Sequence, residues 1–232
     1  LIAPAAWCTV VLCPDEARGF MTAARACRIF LRLTGVRLDR IVDERVASVP
    51  HAVMVANHTS YLDSLVLLAA LPRPVNFVAK RELSKQPFVG RFLRAIGTRF
   101  VERRDYLASL EDEELLVAQA AESDSLLFFP EGTFTRSSGL RPFHLGAFRA
   151  ACLTHEPVIP IALSGVRGIL RDGTWLPRRG KVVVTLLEPV QPTGVNFGAM
   201  LRLRDNVRRA IAKHCGEPLL TGDAVQGSSL LG

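Results

Sequence analysis

From residue 52 onward, short apolar runs alternate with stretches of helical periodicity, and polar turns separate them. Residues 52–56 read as a buried strand, and 60–71 as a helix that Pro72 ends. Residues 75–79 predict a second strand, 88–96 a helix stopping at Gly97, and 98–102 a third strand. The segment 109–122 has acidic residues in its first turn, which favours a helix N-terminus there. Residues 125–129, 158–163 and 182–187 are three further strand candidates, and 197–214 closes the pattern as a helix. Residues 165–180 read as a long polar loop with Asp172-Gly173 as a turn signal, and 216–232 as a loose tail. Apolar strands alternating with helices predict an α/β fold, with a mostly parallel central sheet flanked by helices.

The first 35 residues follow a different pattern. Residues 1–13 carry no charge, yet they are too few to cross a bilayer as a helix. They suit either the end of a spanning segment that starts upstream or a stretch lying in the interface. Next comes a predicted helix, 16–33, with Arg25, Arg28 and Arg32 on one face and Phe20, Cys27, Phe30, Leu31 and Leu33 over much of the rest. A basic amphipathic helix beside an apolar segment reads as docking to an anionic membrane surface. The plainer reading is a helix covering the sheet with solvated arginines. The chain thus divides into an N-terminal docking segment (1–35), a central domain (36–216) and a tail (217–232).

Composition narrows the classes. A chain of 232 residues, 49% hydrophobic and 22% charged, can bury one substantial core. A net charge of +7 suits nucleic acid, an anionic membrane or an anionic small substrate. Aromatic residues make up only 7% and do not interleave with basic ones, which argues against nucleic acid as a partner. The five cysteines are scattered and form no Cys-x-x-Cys pair, so neither a disulfide framework nor a structural zinc site is expected, and a reducing compartment fits. No secretory signal pattern is present, and the chain opens on Leu1, as a piece of a longer protein would.

Two turns carry candidate chemistry, Asn57-His58-Thr59-Ser60-Tyr61-Leu62-Asp63 and Phe129-Pro130-Glu131-Gly132-Thr133. In one continuous helix His58 and Asp63 would stand roughly 140° apart and not meet. They meet if His58 lies in the turn before the helix and Asp63 in its first turn. The carboxylate would then fix the imidazole tautomer and leave the second ring nitrogen as a base. Ser60-x-x-Asp63 is also a capping box, which needs no catalysis, and a turn histidine can simply bond backbone. A Ser60 nucleophile lacks the Gly-x-Ser-x-Gly elbow, and a metal held by His51, His58 and Asp63 lacks further ligands at suitable spacing. Glu131 could bind a hydroxylated ligand where Gly132 lets backbone approach, or the segment could be an ordinary turn. Arg103 and Arg136 could grip a phosphate or be surface arginines.

The first turn resembles the first motif of the glycerolipid acyltransferase family, which includes lysophosphatidic acid acyltransferases. Gly97-Thr98-Arg99-Phe100-Val101-Glu102-Arg103 resembles the second motif, Phe129 to Thr133 the third, and Val158-Ile159-Pro160-Ile161 the fourth. Phe143-His144-Leu145-Gly146-Ala147-Phe148 resembles the segment that follows the third. The resemblance implies a catalytic dyad of His58 and Asp63. It further implies acceptor binding by Gly97, Phe100, Arg103, Glu131, Gly132, Thr133 and Arg136, and Pro160 near the acyl path. Two positions depart from the family pattern. Phe134 stands where an arginine is common, and Leu145 and His144 stand where a lysine is common.

The implied reaction moves a fatty acyl group from acyl-CoA or acyl carrier protein to the free hydroxyl of a lysophospholipid such as 1-acylglycerol 3-phosphate. It requires no metal and no tightly bound cofactor, and it implies a protein associated with the cytoplasmic face of a membrane. Another lysolipid, an aminolipid or glycerol 3-phosphate as acceptor, a thioester hydrolase, and a non-catalytic lipid-binding domain of a larger enzyme are the alternatives.

Overall fold

The computed structural model describes residues 2–101, 125–133, 138–170 and 177–220. Within them seven strands form one sheet in the order β1-β7-β6-β2-β5-β3-β4. The strands are β1 (Val36–Val42), β2 (Val53–Ala56), β3 (Asn76–Lys80), β4 (Arg99–Val101), β5 (Leu126–Phe128), β6 (Val158–Ser164) and β7 (Gly180–Leu186). Neighbours pair in parallel except β6 and β7, so the sheet is mostly parallel, as the alternation predicts.

Side chains alternate between two cores, as strand geometry requires. In β2, Met54 and Ala56 join a core with Phe20, Ala24, Leu31 and Leu67, while Val53 and Val55 join one with Phe148, Leu203 and Val207. The first core is covered by α2 (Glu16–Leu33) and α3 (Asp63–Ala70), the second by α6 (Gly146–Thr154) and α8 (Phe197–Cys215). With both faces covered, the central strands must be apolar throughout, which is why they were legible as continuous runs.

The N-terminal helices belong to this body. The apolar segment folds as α1 (Ile2–Val11), which packs on α2 and on α5 (Pro87–Ala95). Asp15 caps α2 by accepting from the Arg18 amide at 2.8 Å. The helix buries Phe20, Ala23, Ala24 and Leu31 against the sheet and α3, so it does cover the sheet. Of the three arginines expected on one face, Arg25 and Arg32 are exposed. Arg28 is half-buried and leaves the expected basic face: its Nε donates to the Ala69 carbonyl at 2.8 Å. Arg40 donates to Ala70 at 3.1 Å, so two guanidinium groups satisfy the last carbonyls of α3. No helix of the described residues is long and apolar enough to cross a membrane.

Other expectations need correction. The third helix starts at Asp63 rather than residue 60, because the Asp63 side chain holds the preceding loop open, as described below. β1 was not anticipated. It is an edge strand bearing Arg37, Asp39 and Arg40, and ion pairs of Asp39 with Arg37 and Lys181 cover it. The loop read at 165–180 contains a short helix, α7 (Val166–Ile169), and a further short helix, α4 (Arg81–Ser84), precedes α5. The predicted tail is tied down as far as Leu220. Glu217 accepts from Arg167 Nε at 2.8 Å, the Leu140 amide donates to the Pro218 carbonyl at 2.7 Å, and the Leu220 amide donates to the Leu140 carbonyl at 3.1 Å. The predicted helix at 109–122 lies outside the described residues.

Candidate active site

Strand order decides where the two chemical turns meet. The chain leaves β2 into α3 on one face of the sheet, and after β5 it reaches α6 on the other. Neighbouring parallel strands whose connections part in this way leave a crevice at their carboxyl ends. His58 follows the end of β2 and Glu131 the end of β5, so both turns line that crevice.

Asp63 organises the first turn. It is fully buried, and its Oδ2 lies 2.8 Å from His58 Nδ1. The same oxygen accepts from the amides of Thr59 at 2.5 Å and Ser60 at 2.8 Å, and Oδ1 accepts from Thr59 Oγ1 at 3.3 Å. Since α3 opens at Asp63 with Leu62 in the cap position and no side-chain cap bond, this carboxylate holds the turn amides and the histidine rather than completing a capping box. The imidazole stacks on Phe129, with ring centroids 4.3 Å apart and planes at 23°, which fixes its orientation from the second turn.

Glu131 does not present its carboxylate to the crevice. It is buried, accepting from the His58 amide through Oε1 at 2.7 Å and from the Arg141 amide through Oε2 at 2.9 Å. It therefore ties the third motif to the first. Burial pushes its pKa above the ordinary 4.5, against the opposing pull of those two amides. Asn57 does similar work on the other side of β2. Its carboxamide donates to the Leu163 carbonyl at 3.0 Å and accepts from the Leu163 amide at 2.7 Å. This extends the β2–β6 pairing one residue past the strand, so His58 leaves a rigid edge. Neither role was read from the sequence, since each depends on a partner far along the chain.

Glu131→Gln is expected to lose one of the two amide bonds, because the new NH₂ cannot accept, at a cost of about 1–3 kcal/mol. The pH profile follows from the raised pKa. Above pH 4.5 the unfolded carboxyl ionises first, so the wild type loses stability relative to E131Q until the folded carboxyl ionises too. Urea midpoints of both proteins through this range would reveal it, and parallel profiles would refute it.

An apolar cavity of about 1170 Å³ runs from His58 under the N-terminal helices. α1 contributes Trp7 and Val10, α2 Cys27 and Phe30, α3 Leu65 and Leu68, and α5 Phe92 and Leu93. Gly132 and Thr133 line it beside His58 and Phe129. Burial in this wall pushes the Cys27 thiol up to about 11, which makes it a poor nucleophile. Lys80, at the end of β3, is the one Lys or Arg in the described lining, and sequence reasoning passed over it because a lysine ending a strand is ordinary.

The remaining expected residues fall elsewhere. Gly97 turns with φ 78°, and a Cβ there would sit 2.5 Å from Asn76 Nδ2, so packing at the end of α5 requires glycine. Phe100 pairs with Ala79 between β4 and β3, and Pro160 lies in β6 opposite Val55; neither lines the cavity. Arg103 and Arg136 lie outside the described residues. No group of three His, Cys, Asp or Glu among the described residues could hold a metal ion. A neutral imidazole oriented by a buried carboxylate at the head of a long apolar cavity can take a proton from an alcohol placed beside a fatty chain.

Known proteins are similar over most of this chain. The probable 1-acyl-sn-glycerol-3-phosphate acyltransferase of Mycoplasma pneumoniae is 29% identical over 215 residues, covering 86% of this chain and 79% of its own. The 1-acyl-sn-glycerol-3-phosphate acyltransferase of Haemophilus influenzae is 28% identical, covering 79% and 72%. The crystal structure of the 1-acyl-sn-glycerophosphate acyltransferase PlsC from Thermotoga maritima superposes with a TM-score of 0.67 over 91% of this chain and 87% of that one. At 21% identity this last likeness speaks for the fold alone. The acyltransferase family model matches residues 40–164, more than half of the chain and inclusive of His58, Asp63 and Glu131, and so the chain belongs to the acyltransferase family.

Proposed function

We propose that this protein acylates the free hydroxyl of a lysophospholipid, with 1-acylglycerol 3-phosphate as the acceptor and acyl-CoA or acyl carrier protein as the donor, in phospholipid biosynthesis. One observation carries the reading: His58, bonded to buried Asp63, stands at the head of the large apolar cavity. The donor's acyl chain occupies that cavity and its thioester lies at His58. Asp63 holds the ring proton on Nδ1, so Nε2 carries the lone pair. Nε2 takes the acceptor's hydroxyl proton as that oxygen bonds to the thioester carbonyl. The tetrahedral intermediate then expels the thiolate, which recovers the proton from the imidazolium. No acyl group is attached to the enzyme at any step, and Asp63 stabilises the transient charge on the ring.

The acceptor's phosphate needs a cation at the cavity mouth. The family resemblance assigns Arg103 and Arg136 to it, and the placement of Lys80 supports adding that residue. The name of the two relatives above agrees with this acceptor. Docking of the N-terminal helices on the cytoplasmic face of an anionic membrane would bring the cavity to its lipid substrates. Exposed Leu12, Ile29 and Leu33, beside Arg25 and Arg32, support that placement.

Purified protein incubated with acyl-CoA and a panel of lysolipids should yield diacylglycerol 3-phosphate, identified by mass spectrometry. Lys80→Gln should raise the acceptor KM with little change in kcat. Acyl-CoA consumption without an acceptor lipid would make the protein a hydrolase, and an acylated product from a different lysolipid alone would reassign the acceptor.

A further inference from the structure

A second hollow, of about 430 Å³, opens where α4 turns into α5. Lys85, Arg91 and Arg94 stand in its wall, and its described lining holds no Asp or Glu. Trp7 of α1 forms another side. Its indole N–H donates to the Phe88 carbonyl at 3.0 Å, and its ring meets Phe88 edge-on at 5.8 Å. Trp7 also lines the apolar cavity, so a single ring parts the two spaces.

The charges here are largely uncommitted. Arg94 donates to the Ser84 carbonyl at 3.1 Å, but the side chains of Lys85 and Arg91 make no ion pair or hydrogen bond with a described residue. Like charges gathered at one hollow repel each other, and a bound anion would reverse that cost. α5 begins at Pro87 without a side-chain cap, which adds to the positive potential. At the same turn Phe88 is 73% exposed and Val89 42%. Apolar side chains turned to solvent beside cations and a tryptophan are the make-up of a membrane interface anchor, not of a site for a free anion in water.

We propose that this hollow binds the anionic headgroup of a membrane phospholipid, of the phosphatidylglycerol class. Lys85 and Arg91 meet the phosphate, Arg94 adds to the field, and Phe88 and Val89 enter the acyl layer. The proposal rests on the membrane docking described above and adds a headgroup site on a segment separate from α2. Occupation of the hollow would hold the far side of Trp7, and with it the cavity wall, against the bilayer.

The test uses Trp7 as its own reporter, with Trp175, the chain's other tryptophan, replaced by W175F. Titration with dihexanoylphosphatidylglycerol below its micelle concentration should change Trp7 emission saturably, and dihexanoylphosphatidylcholine should do so far more weakly. K85Q/R91Q should weaken the response by roughly 10- to 30-fold, from the loss of two cations. R202Q/K213Q, which removes two exposed charges from α8, should leave it unchanged. Inorganic phosphate matching the lipid's affinity would overturn a lipid site, and so would K85Q/R91Q binding like the wild type. A raised KM for acyl-CoA in K85Q/R91Q, with lipid binding intact, would reassign the hollow to the donor and overturn it as well. Sedimentation with phosphatidylcholine vesicles, with and without phosphatidylglycerol, separates this proposal from docking itself. Wild-type protein left in the supernatant overturns docking and the headgroup site together. Equal sedimentation of wild type and K85Q/R91Q keeps docking and sinks the headgroup site alone.

Discussion

Replacing His58 with alanine is expected to lower acyl transfer by roughly 10²–10⁴-fold, the contribution of a positioned general base. The fold should survive. The imidazole is near the surface of the crevice, and its backbone amide, the group that Glu131 holds, is retained in the variant. Loss of stacking on Phe129 removes only a small contact. Turnover of acyl-CoA with 1-acylglycerol 3-phosphate, measured beside the thermal midpoint, provides the check. A folded H58A protein with near-normal turnover would remove His58 from the chemistry and leave the cavity as a lipid-binding site.

Asp63→Asn is the second large effect, and it separates the two roles of that carboxylate. An asparagine NH₂ facing His58 would donate to Nδ1, forcing the ring proton onto Nε2 and abolishing the base, at a cost of roughly 10⁴-fold in turnover. The buried amides of Thr59 and Ser60 would compete for a single remaining oxygen. Leaving one or both without a partner costs about 2–4 kcal/mol of stability. D63N should therefore lose both activity and thermal midpoint, whereas H58A should lose activity alone. If Asp63 served only to hold the turn amides, the folded fraction of D63N would turn over normally, which a titration of active protein would expose.

The central strands could be read along the chain because burial on both faces makes β2, β5 and β6 continuously apolar. β1 could not, since an edge strand tolerates charge and Arg37, Asp39 and Arg40 obscure its pattern. The His58–Asp63 spacing was informative because a turn of five residues needs only local geometry to close. The partners of Glu131 were illegible for the opposite reason. A carboxylate after a strand looks available for ligand, and only its bonds to the amides of His58 and Arg141 turn it inward. Gly97 was likewise offered to the acceptor, although its positive φ and the closeness of Asn76 give it a packing role.

Periodicity and local turn chemistry by themselves determined an alternating α/β chain and a histidine within reach of a carboxylate, because both depend on neighbours a few residues apart. Tertiary structure alone decided that β5 lies beside β2, that Glu131 reaches His58 from 73 positions away, and that helices from five parts of the chain enclose one cavity. Those contacts follow from which strands pair and which face each connection takes, and no local sequence window holds that information.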